Sequence, residues 1–121
     1  MYSTVWFFEV APGCKAEFEG AYNGDGDWVR LFRRAAGYVR TELHRDLELP
    51  GRYLTVDYWA SSEAYAAFRR SAAEQYRILD RKCESLTVTE RHLGSFLCLE
   101  RSGPSRQRPV PAGVPMRKGR S

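Results

Sequence analysis

Apolar side chains follow two rhythms along this chain, and the switches between them mark out its elements. From Ser3 to Val10 they point both ways, Val5 and Phe7 against Trp6, Phe8 and Val10, as in a strand covered on both sides. Pro12-Gly13 closes that strand, and Pro12 suits the first turn of a helix that carries Phe18 and Tyr22. Asn23-Gly24-Asp25-Gly26-Asp27 interrupts the helix. Asp27 is expected to cap a second piece, with Trp28, Leu31, Phe32 and Ala35 spaced i, i+3, i+4 and i+7. Gly37 ends it. Alternation then returns over Tyr38 to Leu47, with Val39, Thr41 and Leu43 opposed to Tyr38, Arg40, Glu42 and His44. After the Pro50-Gly51 turn, Arg52 to Ala60 sets Leu54, Val56 and Tyr58 against Tyr53, Thr55, Asp57 and Trp59. Ser61 or Ser62 caps a helix striped by Tyr65, Phe68, Ala72, Tyr76, Leu79 and Cys83. Leu86 to Glu100 reads as a last strand, bent near Gly94.

Strand, helix, two strands, helix, strand is the ferredoxin-like βαββαβ order, an α+β fold with helices on one face of an antiparallel sheet. The first strand, and the last through Phe96, Leu97 and Leu99, are apolar on both faces. An open sheet face of that kind predicts a homodimer that covers it.

Composition bounds the rest. The 121 residues fit one domain, and 43% hydrophobic with 13% aromatic content supplies a core. The segment 102–121 departs from this: Pro- and Gly-rich, without periodicity, it carries Arg106, Arg108, Arg117, Lys118 and Arg120 and no acid. A domain over 1–101 followed by a disordered basic tail over 102–121 is therefore expected. The whole chain's +4 less the tail's five charges leaves −1, which argues against a nucleic-acid surface on the domain. No apolar run reaches a membrane span, and Met1 leads straight into the first strand without a basic segment or a cleavage site, so the cytoplasm is the expected compartment. Cys14, Cys83 and Cys98 are too widely spaced for a disulfide framework or a zinc site and read as reduced thiols.

Several motifs fail on inspection. Gly24-x-Gly26 lacks the third glycine of a phosphate loop, and Arg34 stands where a calcium loop needs its bidentate acid. The strand over Arg52 to Tyr58 does not carry the basic-glycine-aromatic signature of an RNA-binding sheet. His44 and His92 lack clustered carboxylates, so no metal site is expected, although either could serve as a pocket acid or base.

The stretch Asp57-Tyr58-Trp59-Ala60-Ser61-Ser62-Glu63-Ala64-Tyr65-Ala66-Ala67-Phe68, preceded by Pro50-Gly51-Arg52-Tyr53, resembles the strand-to-helix junction of the antibiotic biosynthesis monooxygenase-like family. The resemblance covers about residues 3 to 100 and implies a dimeric α/β barrel. The family's haem-degrading branch has an Asn on the first strand, a Trp nine residues past the junction Trp, and a later His. Here the first strand lacks Asn, Phe68 takes the second position, and no His lies between Trp59 and Leu86. The quinone-forming branch is matched at Trp59 and Tyr65, with Thr55 where that branch carries Asn.

The resemblance implies a cofactor-independent monooxygenase that oxidises a phenolic or anthrone-type polycyclic aromatic, polyketide-like substrate to a quinone. Such a substrate supplies its own electrons once deprotonated, so a dry pocket, a base and hydrogen-bond donors suffice, with no cofactor and no metal. Trp59 and Tyr65 are expected to shape and bond the substrate in one cavity, with His44 or Asp57 as base. Arg40, Thr55, Phe68 and Tyr76 are the candidate substrate-binding residues. A polyketide cyclase or isomerase on the same fold, and a non-catalytic dimeric ligand-binding protein, are the alternatives.

Overall fold

The β-branched and aromatic run Tyr2–Val10 forms β1 in the computed structural model, which describes residues 1–99. The segment 102–121 and the boundary assigned to it lie outside the described residues. After β1 come α1 (Lys15–Tyr22), α2 (Asp27–Phe32), β2 (Tyr38–Arg45), β3 (Arg52–Trp59), α3 (Ser62–Ser71), α4 (Ala73–Cys83) and β4 (Thr87–Leu97). The strands pair antiparallel in the order β2-β3-β1-β4, so the fold is the ferredoxin-like α+β arrangement the sequence predicts. Among the described residues, no helix is long and apolar enough to cross a membrane.

Register decides which side chains meet the helices. Thr4 pairs with Asp57, Trp6 with Thr55 and Phe8 with Tyr53, and strict alternation turns all six to the helix-covered face. There β3 buries Tyr53, Thr55, Asp57 and Trp59, and its other residues are half-buried on the open face. The core is a continuous aromatic cluster: Phe18 stacks on Tyr22, and Phe32 meets Trp59 and Phe68 edge-on. Such contacts add about 0.5–1.5 kcal/mol each beyond area burial.

Four local expectations change. A register shift between Tyr38 and Arg40 breaks the simple alternation of β2, and Tyr38 joins Thr41 on the helix face, where their hydroxyls bond at 2.8 Å. Pro12-Gly13 is a turn before the helix, with Gly13 at φ 81°, and α1 begins at Lys15. Gly26, not Asp27, caps α2, because its Cα lies so close to the Ala21 carbonyl that a Cβ would sit 2.5 Å from the oxygen. Asp27 instead pairs with Arg30 and Lys82. Finally, the striped helix is two helices broken at Ala72, where Ser71 Oγ bonds back to the Phe68 carbonyl at 3.4 Å, a competing bond that bends helices.

At the junction, Ser61 caps α3, its Oγ accepting from the Ala64 N–H at 3.0 Å. Gly37 lets the chain pass beneath that helix: a Cβ there would lie 2.3 Å from the Ala64 Cβ. In β4 the bend takes the form of a register shift opposite Val5 and Trp6, which leaves Leu93 out of the pairing just before Gly94.

Candidate active site

A half-open cavity lies between the helix-covered face of the sheet and the helices, with an enclosed volume of about 40 Å³. Strands β2 and β3 supply its polar floor through Thr41, Thr55 and Asp57; β1 adds Trp6 and Phe8. Helices α1 and α2 give Tyr22, Trp28 and Phe32, and Tyr76 and Asp80 come from α4 with Glu90 from β4. The cavity is small and half-open, so it encloses part of a ligand and leaves the rest at the surface.

Asp57 is the chemical centre of this cavity. It is 8% exposed and has no ion pair to any described residue. Thr41 Oγ1 donates to Oδ1 at 2.6 Å, and Thr4 Oγ1 approaches Oδ2 at 3.5 Å. Loss of water raises its pKa from 3.8 to about 6, the two hydroxyls acting in the opposite direction. A carboxyl tuned in this way is ionised at neutral pH and still able to accept a proton. Beside it, Thr55 is 4% exposed and its hydroxyl has no hydrogen bond to the described residues. Burial also raises the hydroxyl pKa of Tyr22 and Tyr76, so both remain protonated donors. Glu90, although exposed, is raised first by desolvation and then by the charge of Asp80.

The other expected site residues fall into two places. Trp59, Tyr65 and Phe68 are on the helix side but stand one aromatic layer away from Asp57. Trp59 is fully buried, its ring 5.3 Å from both Tyr38 and Tyr65, and it reaches the cavity through Phe32 at 5.5 Å. Its buried Nε1 has no hydrogen-bond partner. The Tyr65 hydroxyl accepts from Arg69 at 3.0 Å, and Phe68 borders a separate groove with Ser71 and Gln75. The rings of Trp59 and Tyr65 meet each other, and neither lines the cavity around Asp57. His44 and Arg40 are on the opposite, open face. His44 Nε2 lies 3.2 Å from Glu42, and Arg40 covers the Tyr58 ring at 4.3 Å and pairs with Glu42. Of the two candidate bases, only Asp57 faces the cavity. His92, on the helix-facing side of β4, packs 5.0 Å from Trp6.

Asp80 and Glu90 escaped the sequence reading. Asp80 stands four residues after Tyr76, one turn along the same stripe, which is a usable signal. Glu90 is placed only by its pairing with Phe8, and no local pattern reveals that.

The family model for antibiotic biosynthesis monooxygenases matches residues 1–76, and the chain belongs to that family. Among solved structures it is similar to SnoaB, a cofactor-independent oxygenase from Streptomyces nogalater, at 24% identity and a TM-score of 0.69, over 86% of this chain and 97% of that one. PA3566 from Pseudomonas aeruginosa is 18% identical with a TM-score of 0.61, over 82% of this chain and 94% of its own. A mutant of MhuD with two manganese protoporphyrin IX groups bound per active site is also 18% identical, TM-score 0.61, over 85% and 99% of the two chains. These identities establish the fold. No match was found among curated proteins.

Proposed function

We propose that this family member is a cofactor-independent monooxygenase acting on a phenolic or anthrone-type, polyketide-like aromatic, with Asp57 as the base. The observation that carries the proposal is one buried carboxylate, without a counter-ion, on the floor of an aromatic-lined cavity. In the reaction, Asp57 takes a proton from the activated ring carbon, and the resulting carbanion gives its electrons to O₂. One oxygen atom bonds to that carbon; the O–O bond then breaks with loss of a second carbon-bound hydrogen. The other oxygen leaves as water, so a methylene becomes a quinone carbonyl with O₂ as the sole oxidant. The hydroxyls of Thr55 and Tyr76 are the donors placed to hold the substrate oxygen. Trp59, Tyr65 and Phe68 support the wall through Phe32 without touching substrate.

SnoaB, a cofactor-independent oxygenase of the same fold, favours oxygenation. A cyclase or isomerase would use the same base without oxygen. With an anthrone as substrate, the protein should consume one O₂ per quinone formed. Asp57→Asn should lower kcat by at least about 100-fold. Product formed at an undiminished rate without oxygen would establish the isomerase instead.

The proposal also pairs two copies of the chain through the open sheet face. Val5, Phe7, Val56 and Tyr58 are only half-buried there, and Phe96 is 53% exposed. A cytoplasmic setting fits Cys83, a buried thiol raised in pKa by burial beside Tyr22 and Trp28.

A further inference from the structure

The lining of the Asp57 cavity carries charge of one sign only. Asp57 lies buried at its floor on β3, and Asp80 from α4 and Glu90 from β4 border it as exposed residues. No Lys, Arg or His is among the described residues that line it. Neighbouring cations are turned to other tasks. Arg91 follows Glu90 in β4, and alternation sends it to the open face, where it lies over the Phe7 ring, 5.2 Å from its centre. Lys82 reaches Asp27 at 3.3 Å. Arg69 donates to the Tyr65 hydroxyl at 3.0 Å and lies over the Tyr76 ring, 3.9 Å from its centre.

A cleft with apolar walls concentrates the field of the charges along it. The walls here are rings, Trp6, Phe8, Trp28 and Phe32 among them, so a further negative charge is repelled with little water to screen it. The proposed reaction itself adds none. The proton that leaves the ring carbon stays on Asp57, and the total charge of the cavity is the same before and after the transfer. A carboxylate substituent has no such compensation. Depth says where it would be met. Asp57 and Thr55 are buried whereas Asp80 and Glu90 are exposed, so the reacting ring edge enters toward the floor and the remote end of the ring system stays beside Asp80 and Glu90.

We infer that this cavity selects against acidic substrates: the phenolic or anthrone-type aromatic it takes is uncharged and bears no carboxylate at the end that stays at the mouth. Specificity of this kind comes from repelling the wrong ligand rather than from a new contact to the right one. The inference rests on the reading of this cavity as the substrate site and narrows the substrate class proposed for it. It also orders the chemistry, because a carboxyl group carried by a precursor must be removed or esterified before this step.

Two anthraquinones isolate the charge, one bearing a hydroxymethyl group and the other a carboxylate at the same ring position. Their binding near pH 8 is read from quenching of tryptophan fluorescence, since Trp6 and Trp28 line the cavity, and it requires neither oxygen nor turnover. The hydroxymethyl compound should bind at least about tenfold more tightly. Raising the salt from about 0.05 M to about 0.5 M should shrink that ratio severalfold. The exposed pair change Asp80→Asn with Glu90→Gln should bring the ratio most of the way to one, circular dichroism checking that the variant is folded. Equal affinities in the wild type, tighter binding of the carboxylate, or a ratio untouched by the Asp80 and Glu90 changes would each overturn the inference. Absence of binding by either compound would overturn the reading of the cavity and the inference with it. The preference without oxygen uptake on an anthrone would uphold the selectivity and remove the oxygenase, and oxygen uptake without the preference would do the reverse.

Discussion

Asp57 makes the folded protein less stable where it makes the cavity reactive. Its folded pKa, about 6, lies above the unfolded value of 3.8. Below pH 3.8 both states hold the proton and its burial carries no electrostatic penalty; as pH rises toward 6 the folded chain must ionise a carboxyl deprived of water. The wild type should therefore lose on the order of 3 kcal/mol of stability, relative to Asp57→Asn, between about pH 4 and pH 7. Urea unfolding at those two pH values checks this, and a constant difference between the proteins would contradict it. The same titration gives kcat/KM a rising limb near pH 6. Trp59 behaves in the opposite way. Being fully buried among Phe32, Tyr38, Tyr65 and Phe68, it should cost about 3–5 kcal/mol when changed to Ala. Tyr65→Phe loses only a surface bond to Arg69 and should alter stability by less than about 0.5 kcal/mol.

Among the elements, what the sequence revealed and what it concealed divide by the range of the cause. The alternation of Tyr53, Thr55, Asp57 and Trp59 was legible because period two needs only one strand, and burial follows it residue by residue. The Ser61 cap was legible for the same reason. The β2 bulge was not, since it depends on the fit of Tyr38 to Trp59 across the sheet. Nor was the placement of His44 and Arg40: alternation showed that they share a face, but not which face the helices cover. The break at Ala72 was hidden by an intact hydrophobic stripe that continues across both helices. The crossing of Gly37 under α3 offers a sharp test. Gly37→Ala should destabilise the fold by about 1–3 kcal/mol, because its new methyl meets that of Ala64, and Ala64→Gly in the same chain should recover part of the loss. Chemical denaturation of the two single variants and the double variant measures that coupling.

For the molecule as a whole, the open sheet face leads to a test of assembly. Light scattering at micromolar concentration should give the mass of two chains, and Phe96→Asp should give one chain that remains folded by circular dichroism. The segment 102–121, with no apolar pattern, should be removable without a change in melting temperature or assembly. The ordering of the strands has a consequence for handling the protein. Strand β4 forms one border of the sheet, and Val88, Leu93, Phe96 and Leu97 on or beside it are each at least 46% exposed. That border offers another chain a row of unpaired amides flanked by oily side chains, a template for strand-by-strand growth. Heating should therefore end in a precipitate, at a temperature that depends on scan rate, and the protein's lifetime in solution will be governed by how seldom two such borders join.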